Sequence, residues 1–444
     1  MTPETSASPC SRIKRAKKLV LALLIVIVAL FVVIRFVSSD AEDNSGGEDA
    51  ETELYPDGEL LAMLKDKMDA SGMEIGEFAA RSLSEDDAAL AVSLVSENRQ
   101  SLLREVWEEM AREKRIVLDE YSMPFAYKIF GKEPADGRSL YISMHGGGAT
   151  AAEENDQQWR NQIDLYSPAE GVYFAPRAAV NDWNMWFLPH VDLLLDIIIQ
   201  TSVAALGVNP DKVYLMGYSA GGDGVYRLGP RLADRWAAAS MMAGHPGEVS
   251  PVTLRNIGFM VWMGENDSAY NRNDEARKFG QLMDGLQAEE GDGYIHETRI
   301  VRGKGHWMDG ADKAAVPWMA QFRRNPLPEK VIWLQDDVPH NSFYWLRVPS
   351  SEAENGKLAI VERTGNTFTV ISNDYGSLSI GLNDAMIDFE SPVRVIVDGE
   401  VIFDKKVRRN AAAICMSVRD RYDPGLMFSA YITLAAGTVS EYPN

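Results

Sequence analysis

The sequence predicts an α/β protein whose core is a doubly wound, mostly parallel sheet over residues 123–325. Within that range short apolar runs alternate with longer stretches of helical pattern, which is typical of a parallel sheet covered on both faces. A helical segment over residues 58–122 precedes it. Beyond Pro326 and Pro328 the pattern changes to short apolar runs separated by turns, so residues 326–444 are predicted to form a small all-β, sandwich-like domain.

Composition limits the function classes. The chain has 444 residues and a net charge of -21, which argues against a nucleic-acid partner because such partners require clustered cations. Its two cysteines, Cys10 and Cys415, provide no disulfide framework and no cysteine-based metal site. Residues 265–274 are rich in oxygen ligands but lack the spacing of a calcium loop. We therefore expect neither a metal nor a cofactor.

The amino terminus carries a targeting signal. Five cations lie within residues 1–18, and sixteen uninterrupted apolar residues follow from position 19. Residues 19–37 are just long enough to span a bilayer, and the basic flank favours a cytoplasmic first segment. We expect an uncleaved anchor, the alternative being a signal peptide cut near residues 37–40. In either case the body lies outside the cytoplasm, membrane-anchored or secreted, behind an acidic linker at residues 38–57.

The next segment has a helical pattern. From about Glu59 to Glu120 apolar residues recur at three- and four-residue spacing, and Ser84 followed by acidic residues predicts a helix N-cap. We expect these helices to pack on the core or to cover a pocket.

Six strands and two helices are predicted in the sheet region from apolar runs and helical periodicity. The strands are residues 139–144, 171–176, 212–217, 237–243, 257–263 and 295–301, and the helices are residues 187–206 and 274–286.

In the carboxyl-terminal region, Asp398-Gly399 between two apolar runs predicts a two-residue β-hairpin, and Gly365-Asn366 gives a weaker signal of the same kind. A helical insert is expected near residues 410–418.

Ser219 is the candidate nucleophile. It follows the predicted strand 212–217, with Gly217 and Gly221 two residues away on each side, and a helical pattern follows it. A serine hydroxyl needs a base within hydrogen-bond reach and donors aimed at the oxyanion that forms on attack of a carbonyl. A sharp strand-to-helix turn projects the hydroxyl away from the backbone and requires small flanking residues.

Three other predicted strand ends supply matching groups. The run "HGGG", residues 145–148, offers backbone N–H groups that can turn toward one point. Asp267 and His306 follow the next two strand ends. Open parallel sheets place their sites at the carboxyl ends of strands, so all four features are expected together. Glu265 and Asp274 are the alternative acids.

The order Ser219, Asp267, His306, with "GYSAG" on the turn and "HGGG" before it, resembles the α/β-hydrolase superfamily, in particular its esterase/lipase branch. The layout is also similar to polyester depolymerase and feruloyl-esterase-like enzymes. The resemblance covers residues 123–325. It implies that Ser219 is the nucleophile, that His306 is the base and then the acid, and that Asp267 orients His306. It also implies oxyanion donors from Ala220 and from Gly147 or Gly148.

The function expected from this resemblance is hydrolysis of small or polymeric carboxylic esters through an acyl-enzyme, without cofactor or metal. Two alternatives stay open: the same machinery acting on peptides or amides, and a hydrolase fold retained as a non-catalytic binding module. The sequence does not indicate the oligomeric state or a role for the β domain.

The surroundings of the site yield two further expectations. Only residues 244–256 lie where many relatives insert a cap, which predicts an open site for a bulky or surface-bound substrate unless the amino-terminal helices cover it. Four side chains near the predicted strand ends are candidates for substrate binding, although packing or turn-stabilising roles are alternatives: His145, His245, Trp159 and Trp183.

Overall fold

The computed structural model describes residues 81–442. The predicted cytoplasmic segment 1–18, the membrane segment 19–37 and the acidic linker 38–57 lie outside the described residues, and so does the first part of the predicted helical segment.

Strands and helices alternate through the first two thirds of the described chain. In chain order they are β1 (Ser82–Leu83), α1 (Glu85–Glu113), β2 (Arg115–Leu118), β3 (Tyr121–Phe130), β4 (Arg138–Met144), α2 (Ala152–Ile163), β5 (Gly171–Pro176), α3 (Pro189–Leu206), β6 (Val208–Tyr218), α4 (Ala220–Arg231), β7 (Ala238–Met242), β8 (Gly258–Gly264), α5 (Arg272–Glu290), β9 (His296–Val301) and α6 (Ala315–Met319).

Eight of these strands form one sheet in the order β2-β3-β5-β4-β6-β7-β8-β9. The pairs from β5 through β9 are parallel, whereas β2 and β3 are antiparallel to their neighbours. The mostly parallel sheet predicted from the sequence is therefore confirmed, and each of the six predicted strands is present.

Both faces of the sheet are covered. Along β4, Leu140 and Ile142 belong to one apolar cluster while Tyr141 belongs to another, as expected when successive side chains point to opposite faces. Buried residues of α3, α4 and α5 join the first cluster, and residues of α2 and α6 join or pack against the second. The central strands are buried on both sides, which explains why they read as continuous apolar runs.

The amino-terminal helix differs from the expectation. Ser84 caps α1 as predicted, its hydroxyl accepting the Asp87 N–H at 3.1 Å. The prediction of helix as far as Glu120 was wrong: Lys114 adopts a left-handed conformation that ends α1 at Glu113. The next residues alternate exposed and buried and form β2, because period-two burial favours a strand.

Within the described chain one helix, α3, is apolar and long enough to cross a bilayer. Most of its apolar window is buried inside the protein, since α3 packs between α1 and the sheet. It is a core helix.

The carboxyl-terminal region adds eleven strands and one helix. In chain order they are β10 (Lys330–Leu334), β11 (Ser342–Phe343), β12 (Leu346–Arg347), β13 (Leu358–Thr364), β14 (Thr367–Asn373), β15 (Ser377–Leu382), β16 (Val393–Val397), β17 (Glu400–Lys405), β18 (Arg409–Asn410), α7 (Ala411–Asp420), β19 (Ala430–Ala435) and β20 (Thr438–Tyr442).

Two five-stranded sheets form here, β10-β13-β14-β16-β17 and β11-β12-β15-β19-β20, and their buried side chains share one apolar cluster with the main sheet. Trp333 of β10 stacks on Phe343 of β11 with ring centroids 5.9 Å apart, which joins the two sheets. Both predicted hairpins are present, with Gly365 and Asp398-Gly399 at positive φ in the turns.

A buried cluster of charged groups joins the two regions; we call it the junction cluster, and it comprises Asp211, Asp234, Arg324, Arg421 and Asp423. The Arg324 guanidinium lies 2.8 Å from Asp211 Oδ1 and 2.5 Å from Asp423 Oδ2, and Arg421 lies 2.6 Å from Asp234. Since Arg421 and Asp423 follow α7 while the others belong to the main sheet region, these pairs fix the β region against the sheet.

Candidate active site

The turn between β6 and α4 places Ser219 at the carboxyl edge of the sheet. Ser219 is the N-cap of α4 and has φ 56° and ψ -119°, a conformation that non-glycine residues rarely adopt. Such strain is found where it serves a function, because packing must hold it in place. It projects the Ser219 hydroxyl out of the edge.

Close backbone approach explains the glycines on either side. A Cβ at position 217 would lie 2.2 Å from the Gly221 carbonyl oxygen, and one at position 221 would lie 2.2 Å from the Met144 carbonyl oxygen. Any side chain there would push β6, α4 and β4 apart. The "GYSAG" pattern is thus a packing requirement of a tight strand-to-helix turn.

Ser219, His306 and Asp267 form one hydrogen-bonded chain. His306 Nε2 lies 2.9 Å from Ser219 Oγ, and His306 Nδ1 lies 2.7 Å from Asp267 Oδ2. A carboxylate only accepts hydrogen bonds, so Nδ1 carries the proton and Nε2 is free to accept the Ser219 hydroxyl hydrogen. The arrangement can take a proton from the hydroxyl as that oxygen attacks an electrophile.

The two alternative acids lie elsewhere. The Glu265 carboxylate accepts the Gly303 N–H at 2.7 Å, which fixes the turn that leads toward His306. Asp274 is exposed and lies 3.4 Å from Arg277. Neither contacts His306, whereas the Asp267 side chain is only 2% exposed.

Tyr218 holds the loop that carries His306, a role that the sequence analysis missed. Its hydroxyl donates to the His306 carbonyl oxygen at 2.7 Å and accepts the Met308 N–H at 3.2 Å. Its ring lies 6.1 Å from the His306 ring and 5.5 Å from the Trp307 ring. The only signal was an aromatic residue directly before the serine of the motif.

The turn after β4 lies against Ser219. A Cβ at Gly146 would lie 3.1 Å from the Ser219 Cβ. The Gly148 N–H donates to Asn155 Oδ1 at 2.8 Å. By contrast, the N–H groups of Gly147 and Ala220 have no acceptor among residues 81–442. Of the N–H groups that the resemblance implied, these two are free to bind an oxyanion.

Asn155 is a further residue whose role was missed. It is completely buried, and besides accepting from Gly148 it donates to Asn181 Oδ1 at 3.0 Å. Its position shows that it shapes the glycine turn.

His145 was a candidate for substrate contact, with a structural hydrogen bond in the glycine turn as the alternative, and the structure places it in the second role. It is completely buried; its Nδ1 donates to the Gly146 carbonyl oxygen at 2.6 Å and its Nε2 accepts the Ala178 N–H at 3.1 Å. Burial lowers the pKa of His145 to about 4, so the ring is neutral near pH 7. His145 holds the backbone of the glycine turn from inside the fold.

The other three candidate substrate-binding side chains lie in different surroundings. Trp159 takes the packing role that was its alternative, because its indole donates to the Ala175 carbonyl oxygen at 2.9 Å and its ring packs on the second apolar cluster. Trp183 is 66% exposed and its backbone lies beside Gly148, at the rim of the glycine turn. His245 is half-buried, and its N–H donates to Asp223 Oδ1 at 2.6 Å. Asp223 itself lies one helical turn after Ser219.

Within residues 81–442 the candidate site is open, while residues 58–80 of the predicted helical segment lie outside the described residues. Residues 244–257 between β7 and β8 form turns and one short 3-10 helix over Val252–Asn256, too little chain for a lid. The His306 side chain is 45% exposed. The main contacts of α1 are with α3, α7 and their neighbouring strands, so α1 does not cover the site.

A strand-to-helix serine turn at the centre of a mostly parallel sheet, with a carboxylate and a histidine following in that chain order, is the arrangement of an α/β-hydrolase fold. Residues 81–442 contain no cluster of three His, Cys, Asp or Glu side chains that could hold a metal ion.

Comparison with known proteins gave matches among solved structures alone. No protein-family model matches the chain, and no curated protein does. A thermostable esterase is similar at 18% identity and a TM-score of 0.37, over 47% of this chain and 62% of its own. A ferulic acid esterase is similar at 16% identity and a TM-score of 0.34, over 47% and 96%. A carboxylesterase from Mesorhizobium loti is similar at 18% identity and a TM-score of 0.33, over 47% and 99%. These likenesses extend over about half of this chain.

Proposed function

We propose that the protein is a serine hydrolase that cleaves carboxylic esters through an acyl-enzyme intermediate. The observation that carries this proposal is the continuous hydrogen-bonded chain from Ser219 through His306 to Asp267, at the end of a strained turn. A histidine that contacts both a serine hydroxyl and a buried carboxylate is the arrangement that turns a weak nucleophile into a useful one.

In the first half-reaction Ser219 Oγ attacks the ester carbonyl carbon while His306 Nε2 takes the hydroxyl proton. The negative charge that develops on the carbonyl oxygen is accepted by the N–H groups of Gly147 and Ala220, which we assign as the oxyanion donors in preference to Gly148. The C–O bond to the alcohol then breaks, and His306 returns the proton to the departing alcohol oxygen.

In the second half-reaction His306 Nε2 takes a proton from water as the water oxygen attacks the acyl carbon. Collapse of this second intermediate releases the carboxylic acid and returns the proton to Ser219. Asp267 keeps the proton of His306 on Nδ1 throughout and stabilises the imidazolium that forms in each step.

A fluorophosphonate probe tests the nucleophile directly, because it reacts covalently only with an activated serine. We expect the full-length protein to be labelled, the Ser219→Ala variant not to be labelled, and the His306→Ala variant to be labelled slowly. Ser268→Ala is the matched control, since Ser268 is an exposed serine beside Asp267 whose hydroxyl has no hydrogen bond within the described chain. Labelling that survives Ser219→Ala would remove the central assignment.

The open site supports ester substrates that are bulky or bound to a surface, because no lid within residues 81–442 restricts entry. Trp183 at the rim offers an exposed ring for such a substrate to contact. Comparing hydrolysis of matched esters and amides would separate this proposal from a peptidase or amidase that uses the same residues. Faster cleavage of amides than of esters would favour the alternative.

We also propose that residues 19–37 anchor the protein in a membrane with the catalytic region outside the cytoplasm, or direct its secretion if they are removed. The support is the basic segment before an apolar run of membrane-spanning length. Protease treatment of intact cells, followed by detection of both chain ends, would test it. Protection of the catalytic region in intact cells would contradict the proposal.

A further inference from the structure

The loop from Asp267 to α5 is unusual in its backbone. Tyr270 and Asn271 are consecutive non-glycine residues at positive φ, 57° and 58°. The loop is held at both ends by Asn273, whose N–H donates to the Asp267 carbonyl oxygen at 3.0 Å and whose side chain donates to the Glu265 carbonyl oxygen at 2.9 Å. Backbone strain in a braced loop beside a candidate active site suggests that the loop presents something specific.

The loop presents Tyr270 and Arg272. The Tyr270 side chain is 77% exposed, and the Arg272 guanidinium lies over its ring, 4.9 Å from the centroid. A planar guanidinium on an aromatic face is pre-organised, so little freedom is lost when it binds a second group.

Arg272 has no carboxylate within ion-pair distance among residues 81–442, and its Nε is buried without an acceptor. The next cations on the same helix contrast with it, since Arg277 and Lys278 each lie within ion-pair distance of an acid one turn earlier. A buried donor on a charged group that lacks an acceptor is costly and calls for an explanation.

Arg272 immediately precedes Asn273, whose N–H donates to the Asp267 carbonyl oxygen at 3.0 Å, so the start of α5 is fixed beside the residue that contacts His306. Asp223 lies one helical turn after Ser219, and its N–H donates to the Ser219 carbonyl oxygen at 2.9 Å. Burial raises the pKa of Asp223, and the N–H of His245 and the charge of Arg272 oppose this shift without cancelling it. This influence on Asp223 agrees with the position of Arg272 beside Asp267.

We propose that Arg272, supported by the Tyr270 ring, binds an ionised carboxylate on the substrate, so that the protein prefers esters that carry a second, free carboxylate group. This inference rests on the proposed ester hydrolysis at Ser219 and names a substrate class for it. The reaction is unchanged: water cleaves the ester bond, and the second carboxylate takes no part in bond making.

The geometry of the guanidinium supports this ligand. The guanidinium fork matches the two oxygens of a carboxylate and can form two parallel charge-assisted hydrogen bonds with it. The chain as a whole has a net charge of -21, which repels anionic substrates. Binding of an anionic group therefore depends on a local cation, and Arg272, which has no carboxylate within ion-pair distance among residues 81–442, supplies one.

Matched substrates test the inference in the full-length protein. The carboxylate can belong to the acyl part, as in monoethyl adipate, or to the alcohol part, as in acetoxyacetate. Each is compared with the isosteric primary amide, which is neutral. We expect kcat/KM to favour the carboxylate by about tenfold in one of the two pairs, since hydrogen bonds to charged groups are the stronger ones. That preference should fall as salt is added.

The Arg272→Gln variant should lose this preference, so that the ratio of kcat/KM values for the favoured pair approaches one. Arg277→Gln is the matched control, because it removes a cation of the same helix that already lies beside Asp274, and it should keep the parent's ratio. Circular dichroism melting of each variant checks that it is folded.

The outcomes separate the two proposals. Hydrolysis without a carboxylate preference in either pair overturns the inference about Arg272 and leaves the proposed function standing. A preference that persists in Arg272→Gln, or that is lost equally in Arg277→Gln, also overturns it. Absence of ester hydrolysis together with absence of fluorophosphonate labelling overturns the proposed function and this inference with it.

Discussion

Ionisable side chains occur both at the edge of the sheet that holds Ser219 and in the junction cluster around Arg324. The two places differ in how far these side chains are exposed to solvent. At the edge a buried Asp267 meets a His306 that is 45% exposed. In the junction cluster the side chains of Arg324 and Asp423 are 1% and 6% exposed. Arg324 also donates to Asp211 and to the Asp234 carbonyl oxygen, so each of its nitrogens has an acceptor.

In the junction cluster the charged groups shift each other's pKa values. Burial alone would lower the pKa of Arg324, but the charge of Asp423, with that of Asp211, raises it above its ordinary value. For Asp423 burial acts to raise the pKa, but the charge of Arg324 and its hydrogen bond, with the charges of Arg421 and Arg235, together lower it below its ordinary value. Both groups stay charged and fixed. The comparison teaches that the edge leaves an ionisable group accessible for chemistry, whereas the junction uses ionisable groups to hold two regions together.

Among the variants that test this comparison, Asp267→Asn is expected to have the largest effect. An amide can donate to His306 Nδ1, which moves the ring proton to Nε2 and prevents Nε2 from accepting the Ser219 proton. We expect kcat for an ester to fall by about 10⁴-fold, with little change in the free energy of unfolding. Kinetics and urea denaturation measure the two quantities. Asp274→Asn is the control, and an equal loss in that variant would contradict the assignment of Asp267.

The next effect is on stability and concerns the junction. Arg324→Met leaves Asp423 and Asp211 without their cation in a buried place, and we expect the free energy of unfolding to fall by about 3–5 kcal/mol. Arg394→Met is the matched control, because its pair with Asp404 is exposed and is expected to contribute at most about 1 kcal/mol. Equal losses in the two variants would mean that burial does not distinguish the junction pair.

The smallest effect depends on pH and concerns His145, a buried group of the edge that stays neutral. Its pKa is about 4 in the folded protein against 6.5 ordinarily, so between these values the unfolded chain binds a proton that the folded protein does not. Stability that His145 contributes above pH 6.5 is therefore lost as the pH falls toward 4, up to on the order of 3 kcal/mol. Urea denaturation should show the gap between the parent and His145→Gln shrinking over this interval. A gap that stays constant would contradict the prediction.

Much of the sheet could be predicted from the sequence because its central strands are buried on both faces and therefore read as continuous apolar runs. The antiparallel β2 was not predicted, because it is buried on one face only. Its four residues alternate exposed and buried, and they directly follow a helix of 29 residues whose own periodicity masks them. Only the left-handed Lys114 separates the two patterns.

At the candidate site the sequence named the residue types that chemistry needs, and tertiary contacts decided their surroundings. His145 follows β4 and Trp159 lies on α2, and each of them forms a hydrogen bond with a backbone group of a neighbouring segment. Arg272 had no sequence signal, since an arginine at a helix start is ordinary. What distinguishes it in the structure is that no carboxylate among residues 81–442 lies within ion-pair distance of its guanidinium.

The sequence by itself determined the mostly parallel sheet and the small residues that a tight turn at Ser219 requires, because burial and steric exclusion act on neighbouring residues and leave a local pattern. Only the tertiary structure decided that Asp267 rather than Glu265 or Asp274 meets His306, that Gly148 is engaged by Asn155, and that Arg324 joins the two regions. Those outcomes depend on distances between segments far apart in the chain, which no local pattern records.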